Sequence, residues 1–189
     1  SDIAACIPAL NFRTDDELRN AIKEIRANTR SKALGVNIIV NKSNLKMSRQ
    51  LKSCIELKVD FIITSLGNPK KAIELCKPKG IKVFCDVIEE NYAKKVERLG
   101  ADAIIAVNKN AGGHAGRFNS KDLIYRIRKV CSIPIICAGG VGTKSEAESK
   151  INEGYAGLSI GSSFIACEES EISKEYKKAC VDYGKDDIV

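Results

Sequence analysis

Histidine occurs once in these 189 residues, tryptophan never, and aromatic residues make up only 5%. One histidine cannot supply a His-rich metal site. So few rings leave no stacking platform for single-stranded nucleic acid. No apolar run approaches the ~20 residues of a membrane-spanning helix. No basic n-region precedes the short apolar stretch that opens at Ile3, so no signal peptide is expected and a cytoplasmic location is. The eight cysteines include no Cys-x-x-Cys pair. Cys85 and Cys137 fall in apolar strand-like runs; Cys54, Cys76, Cys131 and Cys180 fall on apolar helix faces or at helix ends. They read as buried free thiols of a reducing compartment rather than a disulfide framework. The net charge of +7 comes from scattered lysines with no basic block. That is either a solvated surface or a field that favours a small anionic ligand, and it does not specify nucleic acid.

What the chain does contain is regular alternation. Seven apolar, β-branched runs read as strands: Ile3–Ile7, Val36–Val40, Phe61–Leu66, Lys82–Val87, Ala103–Val107, Ile133–Ala138 and Gly157–Ile160. Most are apolar on both faces, as buried parallel strands are. Amphipathic segments lie between them. Thr14 and Glu17 form a capping-box pattern ahead of the stripe Leu18, Ala21, Ile22, Ile25. Asn68-Pro69 reads as N-cap and N1, Gly80 as a helix stop, Ser120 as a cap, and Gly100 and Gly154 as C′ glycines. Repeated βα units imply a parallel sheet with helical crossovers. An open doubly wound sheet and a closed barrel both fit. A barrel needs eight strands, and seven are present.

Three clusters follow strands directly, at the end of a parallel sheet where ligand sites form. Ala138-Gly139-Gly140-Val141-Gly142 follows the sixth run, and Ser159-Ile160-Gly161-Ser162-Ser163 the seventh. Glycine lets backbone N–H groups approach an anion, and serine adds a hydroxyl donor. Such loops after the last two strands match the barrel phosphate site. Either loop alone could be a structural turn. No GxGxxG occurs in the first unit, which counts against a dinucleotide fold. The third cluster, Ala111-Gly112-Gly113-His114-Ala115-Gly116, exposes the single histidine between glycines. Most lone histidines are surface or core residues; here an imidazole would be placed to move a proton or hold an anion. No GxSxG motif and no acidic pair beside His114 suggests hydrolysis.

The order Gly35-Val36-Asn37, Gly67-Asn68-Pro69, AGGHAG, AGG and GSSF resembles the nitronate monooxygenase (2-nitropropane dioxygenase) family, over nearly the whole chain from Ile3 to Tyr183. That resemblance implies an FMN-dependent TIM (β/α)₈ barrel that oxidises alkyl nitronates with dioxygen. Residues 1–189 would then be one partial FMN-binding barrel domain, lacking the first strand and the C-terminal tail, with Ile3–Ile7 as the second barrel strand. By position, Asn37 would bond the flavin ring region and Gly112 would pack beside it. His114 would be the catalytic residue facing substrate. Gly139, Gly140, Gly161 and Ser162 would cradle the FMN phosphate, and Ser159 would also bind the cofactor. The implied partners are a small anionic substrate and dioxygen, with neither nucleic acid nor membrane; a homodimer is compatible.

Three departures stand out. The family's GTRF reads Gly161-Ser162-Ser163-Phe164, without an arginine. A flavin-contacting polar residue, often glutamine, is replaced by Val107. The first strand's Gly-Gly-Met turn has no counterpart, so FMN binding is expected to be poor. Two other readings remain. A flavin-dependent enoyl-acyl carrier protein reductase shares the barrel and the GGH motif. A non-redox phosphate-ligand barrel would need an acid or lysine on a strand end, where Asp60 and Asp86 stand. A degenerate barrel that merely folds is the non-catalytic reading.

Overall fold

Each apolar run folds as a strand and each capped amphipathic segment as a helix in the computed structural model, which describes residues 3–29 and 33–183. The strands are β1 (Ala5–Pro8), β2 (Leu34–Ile39), β3 (Phe61–Ser65), β4 (Lys82–Val87), β5 (Ala103–Val107), β6 (Ile135–Ala138) and β7 (Gly157–Ser159). The helices are α1 (Asp15–Asn28), α2 (Met47–Glu56), α3 (Lys70–Cys76), α4 (Glu90–Leu99), α5 (Ser120–Arg128), α6 (Lys144–Asn152) and α7 (Lys174–Asp182). Residues 1–2 and 184–189, where the leader reading and the domain limits partly rested, lie outside the described residues.

All seven strands form one sheet in the order β1 to β7, every neighbouring pair parallel. The order never reverses, so there is no switch point, and the doubly wound alternative is removed. Crossovers of one hand then place every helix on the same face, and the sheet curls around the other. The result is a TIM barrel one strand short of closure. Side-chain alternation shows the two faces. Val36, Ile38, Ile62, Val83, Cys85, Ile104, Ala106, Ile135 and Cys137 are fully buried under the helices. Their neighbours Asn37, Ile39, Ile63, Ser65, Phe84 and Asp86 face inward and are half-buried, because the inner face opens into a cavity. The helical layer is thick from α1 to α5, which bury residues such as Leu18, Leu51, Ile73, Val96 and Leu123; α6 and α7 bury none.

The start of the sheet is pinned by two aspartates. Asp60 accepts from the Leu34 backbone N–H at 2.8 Å and pairs with Arg26 at 2.5 Å. Asp102 accepts from Val83 N–H at 2.9 Å and pairs with Lys82 at 2.9 Å. Asp60 therefore sits at the N-terminal end of β3, away from the loops that follow the strands, and is structural.

Several boundaries differ from the sequence reading. β6 begins at Ile135 because Pro134 has no N–H to donate; its carbonyl accepts from Ile104. Asn119, not Ser120, caps α5, accepting from Asp122 N–H, while Ser120 is buried and accepts from Lys150 Nζ at 2.7 Å. α3 starts at Lys70, one residue late, with the Asn68 side chain accepting from Lys70 N–H. Cys180 is exposed, against the expectation of a buried thiol.

Candidate active site

The loops after β5 and β6 are tied together by one side chain. Asn108, buried just past β5, donates from Nδ2 to the Gly139 carbonyl at 2.8 Å. Its Oδ1 accepts from Asn110 N–H at 2.8 Å, and its backbone N–H reaches the Ala138 carbonyl at 3.0 Å. The loops pack so closely that glycine is required. At Gly139, with φ +105°, a Cβ would lie 2.4 Å from Ala111 N. At Gly112 it would lie 2.7 Å from Ser162 Oγ. The AGGHAG, AGG and GSS segments thus meet at one place.

A cavity of about 1190 Å³ opens there, floored by the inner face of the sheet. Asn37, Gly112, His114, Gly139, Gly140, Ser159, Gly161 and Ser162, all expected at a site, line this one cavity. His114 is exposed. The backbone N–H groups of Gly140, Gly161, Ser162 and Ser163 have no protein acceptor among the described residues, and a Cβ at Gly161 would meet open space. A cluster of unpaired N–H groups beside serine hydroxyls has the donor chemistry of a phosphate cradle. The N–H groups of Gly142 and Thr143 do not join it, since the Glu146 carboxylate accepts both at 2.9 Å in a capping box. Ile39, Ile63 and Ile105 supply an apolar floor suited to a flat ring system. The residues present therefore fit FMN.

The other motif glycines have structural work. A Cβ on Gly35 would enter the Phe61 ring at 2.2 Å, and one on Gly67, with φ +140°, would strike the Val40 carbonyl at 2.6 Å. Beside Gly67, Leu66 itself holds a positive φ of 54° at the cavity wall.

A polar chain missed by motif reasoning crosses the floor. Asn37 Nδ2 donates to Ser65 Oγ at 2.7 Å, and Ser65 Oγ donates to Asp86 Oδ2 at 2.5 Å. Burial pushes the Asp86 carboxyl above the usual carboxylate range, and the Ser65 bond offsets part of that. The Cys6 residue is exposed, but its thiol, on the same cavity wall, is pushed up to about 12 by desolvation and then by the Asp86 charge. The general positive charge of the chain does not extend here. Among the described residues no lysine or arginine lines the cavity, whereas Asp86, Glu89 and Glu146 do. Of the two readings of the net charge, the cavity lining favours the solvated lysine surface.

Sequential parallel strands, with glycine-rich loops gathered at the ends of the last three, define a ligand-binding (β/α)₈ barrel. The chain belongs to the nitronate monooxygenase family, whose model matches residues 7–189. A nitronate monooxygenase of Paraburkholderia phytofirmans is 30% identical over 66% of this chain and 37% of its own length. A (3aS,4S,5R,7aS)-5-hydroxy-7a-methyl-1-oxo-octahydro-1H-indene-4-carboxyl-CoA dehydrogenase of Rhodococcus jostii is 28% identical over 92% of this chain and 48% of its own. The structure of FabK from Thermotoga maritima superposes with a TM-score of 0.87 at 34% identity, covering 94% of this chain and 56% of FabK. That of nitroalkane oxidase from Streptomyces ansochromogenes gives 0.80 at 21%, covering 88% and 60%. The chain spans about half the length of the curated relatives it matches.

Proposed function

We propose that this chain is the cofactor-binding barrel of an FMN-dependent oxidoreductase that oxidises alkyl nitronates or their parent nitroalkanes with dioxygen. The observation that carries the reading is the meeting of His114 with the unpaired N–H groups of Gly140, Gly161 and Ser162 in one cavity. Those N–H groups and the Ser162 hydroxyl would hold the phosphate, and the isoleucine floor and Asn37 the ring end. When bound, FMN supplies the electron-accepting chemistry; the protein supplies placement. His114, on a loop fixed through Asn108, would take a proton from a neutral nitroalkane or hold the charge of a nitronate. Eight unpaired cysteines favour a reducing, cytoplasmic setting.

The test is FMN titration followed by oxygen uptake. Flavin fluorescence should be quenched on binding, and nitroalkane or nitronate should drive oxygen consumption without NADH. His114→Ala should retain FMN and lose ~10²–10⁴-fold in turnover of the neutral nitroalkane. Equal turnover by mutant and wild type removes His114 from the chemistry; absence of FMN binding removes the cofactor assignment. A second reading, reduction of an enoyl thioester with NAD(P)H, is supported by the same barrel and the Gly112-Gly113-His114 segment at the cavity. NADH oxidation dependent on crotonyl thioester would select it.

A further inference from the structure

The geometry points to Asp86 as the residue that makes this cavity select an uncharged substrate over an anionic one. The inference rests on the cavity being the substrate chamber proposed above. A chain of net charge +7 carries 31 lysines and arginines, yet among the described residues none lines the cavity. His114, on the loop after β5, is the single lining group able to become positive. Of the three lining carboxylates, Glu146 is engaged by Gly142, Thr143 and the Thr143 hydroxyl at the start of α6. Glu89 lies in the turn between β4 and α4. Asp86 is different: it projects from β4 onto the inner face and is half-buried.

The hydrogen bonds fix its role. Ser65 accepts from Asn37 and donates to Asp86 Oδ2, so the chain runs one way and ends on the carboxylate. Among the described residues no cation pairs with Asp86; the titratable groups that its charge reaches are Cys6 from β1, Cys85 from β4 and Tyr92 from α4, none of them a cation. Among the described residues its second oxygen accepts no hydrogen bond and is left to the cavity. An ionised carboxylate without a counter-ion, in a partly desolvated wall, repels an incoming anion more strongly than it would in water. A neutral nitroalkane, or a neutral carbonyl compound, meets no such penalty. Within the nitronate monooxygenase reading, this chain then works on the neutral form, with His114 taking the proton, rather than on the preformed nitronate.

Cys6 lines the same cavity and provides a probe that needs no flavin. Iodoacetamide and iodoacetate alkylate thiols by the same displacement and differ in charge. At mildly alkaline pH, the iodoacetate-to-iodoacetamide rate ratio at Cys6, resolved by peptide mass spectrometry and normalised to exposed Cys180, should be depressed in the wild type. Asp86→Asn should raise that ratio roughly threefold to tenfold. Asp86→Thr repeats the measurement should the asparagine variant misfold. Glu89→Gln should change it by less than about twofold. An unchanged ratio in Asp86→Asn, or a larger rise in Glu89→Gln, overturns the proposal. The second arm compares kcat/KM for nitroethane and ethyl nitronate with FMN present, where Asp86→Asn should shift preference toward the nitronate. A ratio that moves without turnover of either nitro form keeps the selection and defeats the redox reading; turnover with an unmoved ratio does the reverse.

Discussion

Asn108 and Gly139 show how few atoms hold the site together. The Asn108 side chain spans from one loop to the next, and Gly139 must lack a Cβ for the loops to meet. Gly139→Ala combines a positive φ with a contact of 2.4 Å to backbone, which cannot move as a side-chain tip can. It should cost ~1–3 kcal/mol, read as a lowered urea midpoint. Gly161→Ala offers the contrast. Its Cβ would enter open space, so stability should change by less than about 0.5 kcal/mol while FMN titrations weaken through the narrowed cradle. The glycines and His114 were legible in the sequence because only glycine serves such turns and a histidine between glycines is exposed. Asn108 and Ser65 were not, and Asp86 was legible only as a carboxylate at a strand end. Each belongs to no motif, and their connection depends on strand register: Ile39 lies beside Ser65, and the next step of the β3–β4 ladder puts Ser65 beside Asp86.

At the level of elements, local signals set helix starts better than strand limits. Both capping boxes, Thr14 with Glu17 and Thr143 with Glu146, are complete. The first was evident from spacing alone. The second closes α6, a helix that buries nothing and so depends more on its cap than α1 does. Thr143→Ala should cost ~1 kcal/mol of local stability. Amide exchange across Glu146–Ala147 should quicken while that in α1 stays unchanged; equal exchange in α6 would mean that its neighbours, not the cap, hold it. The misplaced cap of α5 has a similar cause. Asn119 and Ser120 are both good caps, and tertiary contact decides: Ser120 is drawn inward to Lys150 and its carbonyl to Tyr155, leaving Asn119 at the boundary.

Across the whole molecule, two kinds of carboxylate pull stability in opposite directions with pH. Glu97 lies on the exterior and is held below the usual range, chiefly by the Ser132 backbone N–H, then by the Ser132 hydroxyl and Ile133 N–H. Glu146 is likewise lowered, first by Gly142 N–H. A lowered carboxylate contributes stability above its unfolded value that is lost as pH falls through its folded value. Asp86 is raised by burial, so its sign is reversed: the folded chain holds the proton more readily than the unfolded chain does, and ionisation costs stability as pH rises through the folded value. Glu97→Gln should therefore lower Tm at neutral pH, and the difference from wild type should close on acidification. Asp86→Asn should raise Tm at neutral pH, and that gain should also close on acidification, as the wild-type carboxyl takes up its proton. Thermal scans by circular dichroism from neutral to acidic pH check both slopes. A neutral-pH loss in Asp86→Asn would mean that its bond with Ser65 outweighs desolvation, making Asp86 part of the scaffold. A gain would mean that the barrel keeps a carboxylate at a cost to its own stability, on the inner wall that faces the cavity, where such a cost is borne for function rather than for folding.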